Sequence, residues 1–187
     1  MLFRGGSFTS FPCDNIKSLK MKLQFTIGIF GIIFDQQKRV LLCHRCDYDL
    51  WNLPGGALES GESPWDGVKR EIKEETGFKV EIVNLAGVYS KPDKNEIVLS
   101  FVCKIIGGEI TLNDEADKIE YFDVDKLPSN TSQKQVERIK DVIANPDKTI
   151  YKVQTGKSSI ELIKEGKLWS IWGAIPAVLK FSSKRRG

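Results

Sequence analysis

GALESGESPWDGVKREIKEETGF, residues 56–78, encodes a helix with both of its ends marked. Ser63 is a side-chain N-cap, Pro64 has the fixed φ that suits the first helical position, and Asp66 completes a Ser-x-x-Asp capping pattern. Gly77 suits the left-handed residue that follows a helix. Between these signals Trp65, Val68, Ile72 and Thr76 recur at helical spacing, which predicts a face turned to a core. Glu71, Glu74 and Glu75 stand at i, i+3 and i+4, so three carboxylates project from one patch. Like charges at that spacing destabilise an isolated helix by about a few tenths of a kcal/mol per pair. Lys69, Arg70 and Lys73 offset this through solvent, and a cation that prefers hard oxygen ligands would offset it too. Taken alone, such a cluster reads as a solvated helix face.

Outward from this helix the chain alternates. Residues 23–34 are β-branched and aromatic, as in a buried strand; residues 35–38 turn and residues 39–45 return. Trp51-Asn52-Leu53-Pro54-Gly55-Gly56 is a loop, because a proline followed by two glycines interrupts regular structure. Beyond the helix, strands are expected at 79–89, 96–106, 109–112 and 119–124. A second helix at 132–144 carries Val136, Ile139, Val142 and Ile143 as its apolar stripe. Strands on both sides of helices, with connections of mixed length, predict an α/β fold in which a mixed sheet has helices on both faces. Residues 1–22 read as a leader or edge segment, 23–147 as the domain and 148–187 as a C-terminal extension. In that extension a short helix is expected at 158–166. The interrupted apolar stretch Leu168–Phe181 is expected to pack on the domain or on a second subunit, as in a homodimer.

Composition excludes several classes. Of 187 residues 41% are apolar and 28% charged, ordinary for a globular chain, and a net charge of +3 is too small to argue for nucleic acid or a membrane surface. His44 is the only histidine, which rules out a Ser-His-Asp triad or a multi-histidine metal centre within the chain. Cys43 and Cys46 form a C-x₂-C without the second pair that a zinc ribbon needs, and on a strand residues three apart face opposite ways. They read as reduced thiols. Neither a signal-peptide pattern nor a run long enough to span a bilayer is present, so a cytoplasmic location is expected.

The spacing around the glutamates is more specific than the glutamates themselves. From Gly56 the pattern is Gly, five residues, Glu62, seven residues, then Arg70-Glu71-Ile72-Lys73-Glu74-Glu75-Thr76-Gly77-Phe78. This resembles the Nudix box, G-x₅-E-x₇-R-E-U-x-E-E-x-G-U with U apolar, and all nine constrained positions match. Leu53-Pro54-Gly55-Gly56 also looks like the family's approach to the box. The resemblance covers about Leu23 to Ala144 and implies a Nudix-type α/β/α sandwich.

It further implies hydrolysis of a P–O–P bond in a nucleoside diphosphate derivative, with Mg²⁺ (or Mn²⁺) as the cofactor. Glu71, Glu74 and Glu75 match the family's metal-binding glutamates, and the Gly55 carbonyl is a further expected ligand. Glu115, in the acidic loop Asn113–Asp117, is the expected additional acid; Asp114, Asp117 and Glu120 compete with it. Glu71, Glu74 and Glu115 are the candidate bases. Gly56, Glu62, Arg70 and Gly77 are expected to support the site, with Glu62 and Arg70 paired. Pro92, fifteen residues after Gly77, resembles the branch that acts on ADP-ribose and nucleotide sugars. Arg45, Trp51, Tyr89 and Pro92 are the candidate substrate contacts, with Trp51, Tyr89 and Phe101 as rings on which a base would stack. Two other readings stand beside this one: a nucleoside triphosphate pyrophosphohydrolase, and a non-catalytic nucleotide sensor.

Overall fold

The computed structural model describes residues 25–112 and 114–166. The leader and the stretch Leu168–Phe181 lie outside the described residues. In chain order the elements are β1 (Thr26–Ile33), β2 (Val40–Arg45), β3 (Trp51–Asn52), β4 (Gly55–Ala57), α1 (Pro64–Thr76) and β5 (Phe78–Lys91). A short 3₁₀ turn (Pro92–Lys94) leads into β6 (Glu96–Gly108), β7 (Ala116–Phe122), α2 (Gln133–Ala144), β8 (Ile150–Val153) and α3 (Ser159–Lys164). Five strands make one sheet in the order β4-β1-β6-β5-β8, and β3-β2-β7 make a second. β1 runs parallel to β6 and β5 parallel to β8, whereas the remaining pairs are antiparallel. The sheet is therefore mixed.

Side-chain alternation assigns each face of the strands to its own helix. Ile29 and Ile33 of β1 and Leu41 and Cys43 of β2 enter a core with Val68 and Ile72 of α1. Their neighbours Ile32, Val40 and Leu42 enter a second core with Ile139 and Val142 of α2. A period of two on the strands thus places α1 and α2 on opposite sides, giving the expected α/β/α sandwich. α1 sits hard against β1: a Cβ on Gly31 would lie 2.4 Å from the Ile72 Cδ1.

Four local expectations change, the first being the loop at 51–56, which contains β3 and enters β4, two short strands paired with β2 and β1. Trp65 is 57% exposed, and Gly67 takes the buried place in the first turn, where a Cβ would meet Ile29 at 2.5 Å. Residues 109–112 form no strand; they cross the end of α1, where Thr111 N–H donates to Thr76 O at 3.0 Å. That contact satisfies one of the carbonyls a helix end leaves open. The inward face of α2 is Gln135, Arg138, Ile139 and Val142, rotated from the apolar stripe, and Ile143 is exposed. β8 extends the main sheet beyond β5, so residues 150–153 share the sheet's hydrogen bonding.

Candidate active site

α1 is capped as its sequence demands. Ser63 Oγ accepts from Asp66 N–H at 3.2 Å and donates to Asp66 Oδ2 at 2.5 Å. Gly77 adopts φ 78°, and its N–H donates to Lys73 O. A side chain is excluded there, since a Cβ would lie 2.2 Å from Glu109 O. These ends set the register in which the acidic patch faces β4.

Arg70 is the hub of the box. Its Nε and one terminal nitrogen grip both oxygens of Glu62, at 2.9 and 3.1 Å, and so tie the loop before α1 to the helix. Its other terminal nitrogen donates to Glu71 Oε1 and Glu74 Oε2, each at 3.0 Å. The guanidinium thereby neutralises part of the patch. Glu62, pulled by Arg70, is held below the usual carboxylate range.

Glu75 is the buried member of the trio. Desolvation pushes its carboxyl up to about 8; the Gly55 N–H at 2.9 Å lowers it, and the Glu71 and Glu115 carboxylates raise it further. Glu71 is raised as well, first by burial and then by Glu74 and Glu115 against the pull of Arg70. Three acids from α1 and the loop before β7 thus act on one another. Gly56 leaves room for them, as a Cβ there would lie 2.7 Å from the Glu71 Oε2. Gly55 has φ 142°, and a Cβ on it would strike Ile29 O at 2.1 Å.

The donor set fits a divalent cation. Hard carboxylate oxygens, mutual repulsion and a glycine-lined approach are what Mg²⁺ or Mn²⁺ sites use. Among the described residues no three acidic, histidine or cysteine side chains are already closed into a cation cage, and Arg70 holds Glu71 and Glu74. A cation on this patch would share those carboxylates with Arg70.

Beside the patch lies a cavity of about 590 Å³. Gly55, Gly56, Glu75, Glu115, Asp114 and Arg45 line part of it. Arg45 is bound bidentately by Asp47, at 2.7 and 2.8 Å. Asp117 turns elsewhere, to the His44 ring at 2.6 Å, and Glu120 is exposed along β7. Lys91, Lys94, Glu96, Lys134, Gln135 and Arg138 also line it.

The aromatic candidates are corrected. Tyr89 is fully buried, its hydroxyl donates to Asp141 Oδ2 at 3.2 Å, and it does not line the cavity. Trp51 is 7% exposed and packs edge-on against Phe122 with centroids 4.8 Å apart; Phe101 is likewise core. Their apolar area is spent on packing, so no face remains for a base. Pro92 opens the 3₁₀ turn between β5 and β6, where its fixed φ suits the first position, and it does not line the cavity. Cys43 is buried and Cys46 exposed, but β2 ends at Arg45, so Cys46 lies just beyond the strand expected to carry it. The lysines, Gln135 and Arg138 escaped sequence reading. The available signal was a polar pair, Gln135 and Arg138, spaced three apart beside the stripe of α2.

The chain matches the NUDIX domain over residues 24–145. It is 36% identical over 121 residues to an ADP-ribose pyrophosphatase of Methanocaldococcus jannaschii, covering 61% of this chain and 71% of that one. Over 85 residues it is 38% identical to a putative 8-oxo-dGTP diphosphatase of Bacillus subtilis, covering 46% and 57%. A solved UDP-X diphosphatase superposes with a TM-score of 0.61 at 28% identity, over 69% of this chain and 67% of that one. The chain belongs to the Nudix family and is a pyrophosphohydrolase acting on acid anhydrides, of the kind that uses divalent metals and small nucleotide substrates. Among the described residues no helix is long and apolar enough to cross a membrane.

Proposed function

We propose that the chain hydrolyses the diphosphate of ADP-ribose or a related nucleotide sugar in the presence of Mg²⁺. The supporting observation is the single cavity that joins the Gly55, Glu75 and Glu115 region to a polar compartment. Its volume suits a ligand with a group on each side of a diphosphate better than a lone phosphate ester. The similarity to a protein named ADP-ribose pyrophosphatase points the same way.

Glu71, Glu74, Glu75, Glu115 and the Gly55 carbonyl would hold the cation. Bound there, it supplies charge neutralisation at the phosphoryl oxygens and acidifies water. Arg70 fixes the directions of Glu71 and Glu74, and Arg45 lines the cavity as an ion pair with Asp47. A carboxylate takes the proton of the attacking water as the P–O bond breaks. Of the candidate bases, Glu115 lines the cavity directly.

The test is a substrate panel with Mg²⁺, and Mn²⁺ for comparison. The proposal expects AMP and ribose 5-phosphate from ADP-ribose at a higher kcat/KM than pyrophosphate release from any nucleoside triphosphate. The reverse order would favour the nucleotide-pool reading, which the similarity to a putative 8-oxo-dGTP diphosphatase supports.

A further inference from the structure

The cavity is lined by two sets of charged side chains drawn from different elements. Glu75 responds to Glu71, Glu115 and Arg45, whereas Lys134 responds to Lys91, Lys94, Asp93 and Glu96. The second set has four cations and one carboxylate, Glu96. Lys91, Lys94, Lys134 and Arg138 all line the cavity, drawn from the end of β5, the 3₁₀ turn and α2.

Two of these cations are satisfied. Lys91 pairs with Glu96 at 2.8 Å, and Lys94 pairs with Glu161. The other two meet neutral oxygens. Lys134 Nζ donates to Gly156 O at 2.6 Å, and Arg138 donates through two nitrogens to Gln154 Oε1, at 3.2 and 2.9 Å. Among the described residues neither has a carboxylate within ion-pair distance. Arg138 is only 2% exposed and is fixed between the Phe30 and Tyr89 rings, 5.1 and 5.2 Å from their centroids.

The two rings, Gln154 and the more distant Glu96 and Glu137 offset part of the desolvation cost of the buried guanidinium, and an anion in direct contact would offset more of it. Lys134 is lowered by burial and by the nearby Lys91 and Lys94, which would relax once negative charge arrived. The neutral oxygens that position both cations come from residues 154 and 156, beyond the matched family segment. This part of the cavity is therefore built jointly by α2 and the C-terminal extension.

We propose that Lys134 and Arg138 form a second anion subsite, which receives a phosphate or carboxylate of the substrate other than the scissile diphosphate. That charged group sits either on the nucleoside or on the leaving moiety. The inference rests on the proposed hydrolysis of nucleotide sugars and narrows it to charged members of that class.

Two matched pairs of compounds test it. UDP-glucuronate against UDP-glucose places the extra anion on the leaving moiety; ADP-ribose 2′-phosphate against ADP-ribose places it on the nucleoside. The charged member of one pair should be favoured about tenfold in kcat/KM, as befits one charge-assisted contact. Lys134→Arg should keep most of that ratio and Lys134→Gln should bring it close to one. The pair that shows the preference identifies the source of the anion. A ratio near one in both pairs, or one that survives Lys134→Gln, overturns the subsite. Calorimetric Kd values for the same compounds in EDTA separate the two readings. A preference in Kd without any hydrolysis keeps the subsite and rejects the hydrolysis of nucleotide sugars. Hydrolysis without a preference rejects the subsite alone, and neither hydrolysis nor a preference in Kd rejects both.

Discussion

The Gly55 N–H donates to Glu75 Oε2 at 2.9 Å, linking β4 to the last turn of α1 across twenty residues of sequence. Among the described residues this bond is the one backbone donor given to a carboxyl that burial and two neighbouring acids otherwise disfavour as an anion. It holds Glu75 in place but leaves most of its charge cost uncompensated.

A stability prediction follows for the protein in EDTA. The Glu75 carboxyl is raised from 4.5 to about 8 in the folded chain, so folding takes up a proton between those values. The stability associated with its protonated form is fully present below about pH 4.5 and lost progressively as the pH rises towards 8. Glu75→Gln should therefore melt higher than the wild type at pH 8 in EDTA, with the gap closing by pH 4.5. Added Mg²⁺ should raise the wild-type Tm and move the variant little. Turnover by Glu75→Gln should fall by orders of magnitude, about the hundredfold or more that a lost charge-stabilising group costs. A melting curve for the variant that tracks the wild type at every pH would refute the account.

Arg70 gives the next expectation. It makes two bonds to Glu62 and one each to Glu71 and Glu74, so removing it frees three carboxylates at once. Arg70→Gln should lower the urea midpoint in EDTA, and Arg70→Lys should recover only part of it, because an ammonium cannot match the planar fork. Saturating Mg²⁺ should narrow the difference by screening the liberated acids. If Arg70→Lys is as stable as the wild type, the bidentate contact with Glu62 is not what ties the loop to the helix.

Tyr89 separates packing from recognition. Its ring is fully buried and its hydroxyl reaches Asp141, so Tyr89→Phe should cost about 1 kcal/mol, the usual net worth of one hydrogen bond. KM should stay within about twofold, because nothing on the ring touches the cavity. A large rise in KM with unchanged stability would return the residue to the substrate.

The acidic side of the site was legible because its information is local. Capping residues, a terminal glycine and carboxylates one turn apart belong to a single helix, and the fixed spacing from Gly56 to Phe78 locates them. The basic side was not, because Lys91, Lys94, Lys134 and Arg138 meet only after β5, the 3₁₀ turn and α2 have packed. Periodicity also misled on α2. Apolar spacing favoured Ile143, but the buried face of α2 runs through Gln135, Arg138, Ile139 and Val142, and Ile143 falls outside it. Trp51 and Tyr89 show the converse, since an aromatic residue near a site is more often part of the wall's interior than its surface.

The two glycines before α1 should fail in different ways. At Gly55 the φ of 142° is strained for any L side chain, and the added Cβ would meet the immovable Ile29 carbonyl at 2.1 Å. Gly55→Ala should destabilise the fold by about 1–3 kcal/mol or more, and the variant should unfold at clearly lower denaturant. At Gly56 the backbone is unstrained, and the Cβ would meet only the far end of the Glu71 side chain, 2.7 to 2.8 Å away. That carboxylate swings aside at small cost. Gly56→Ala should thus keep nearly wild-type stability while kcat falls, since Glu71 no longer points where the cation and the phosphate need it. Denaturant titration and steady-state kinetics on both variants read the two effects separately. Equal loss of stability at both positions would show that Gly56, too, is there for the backbone and not for the carboxylate.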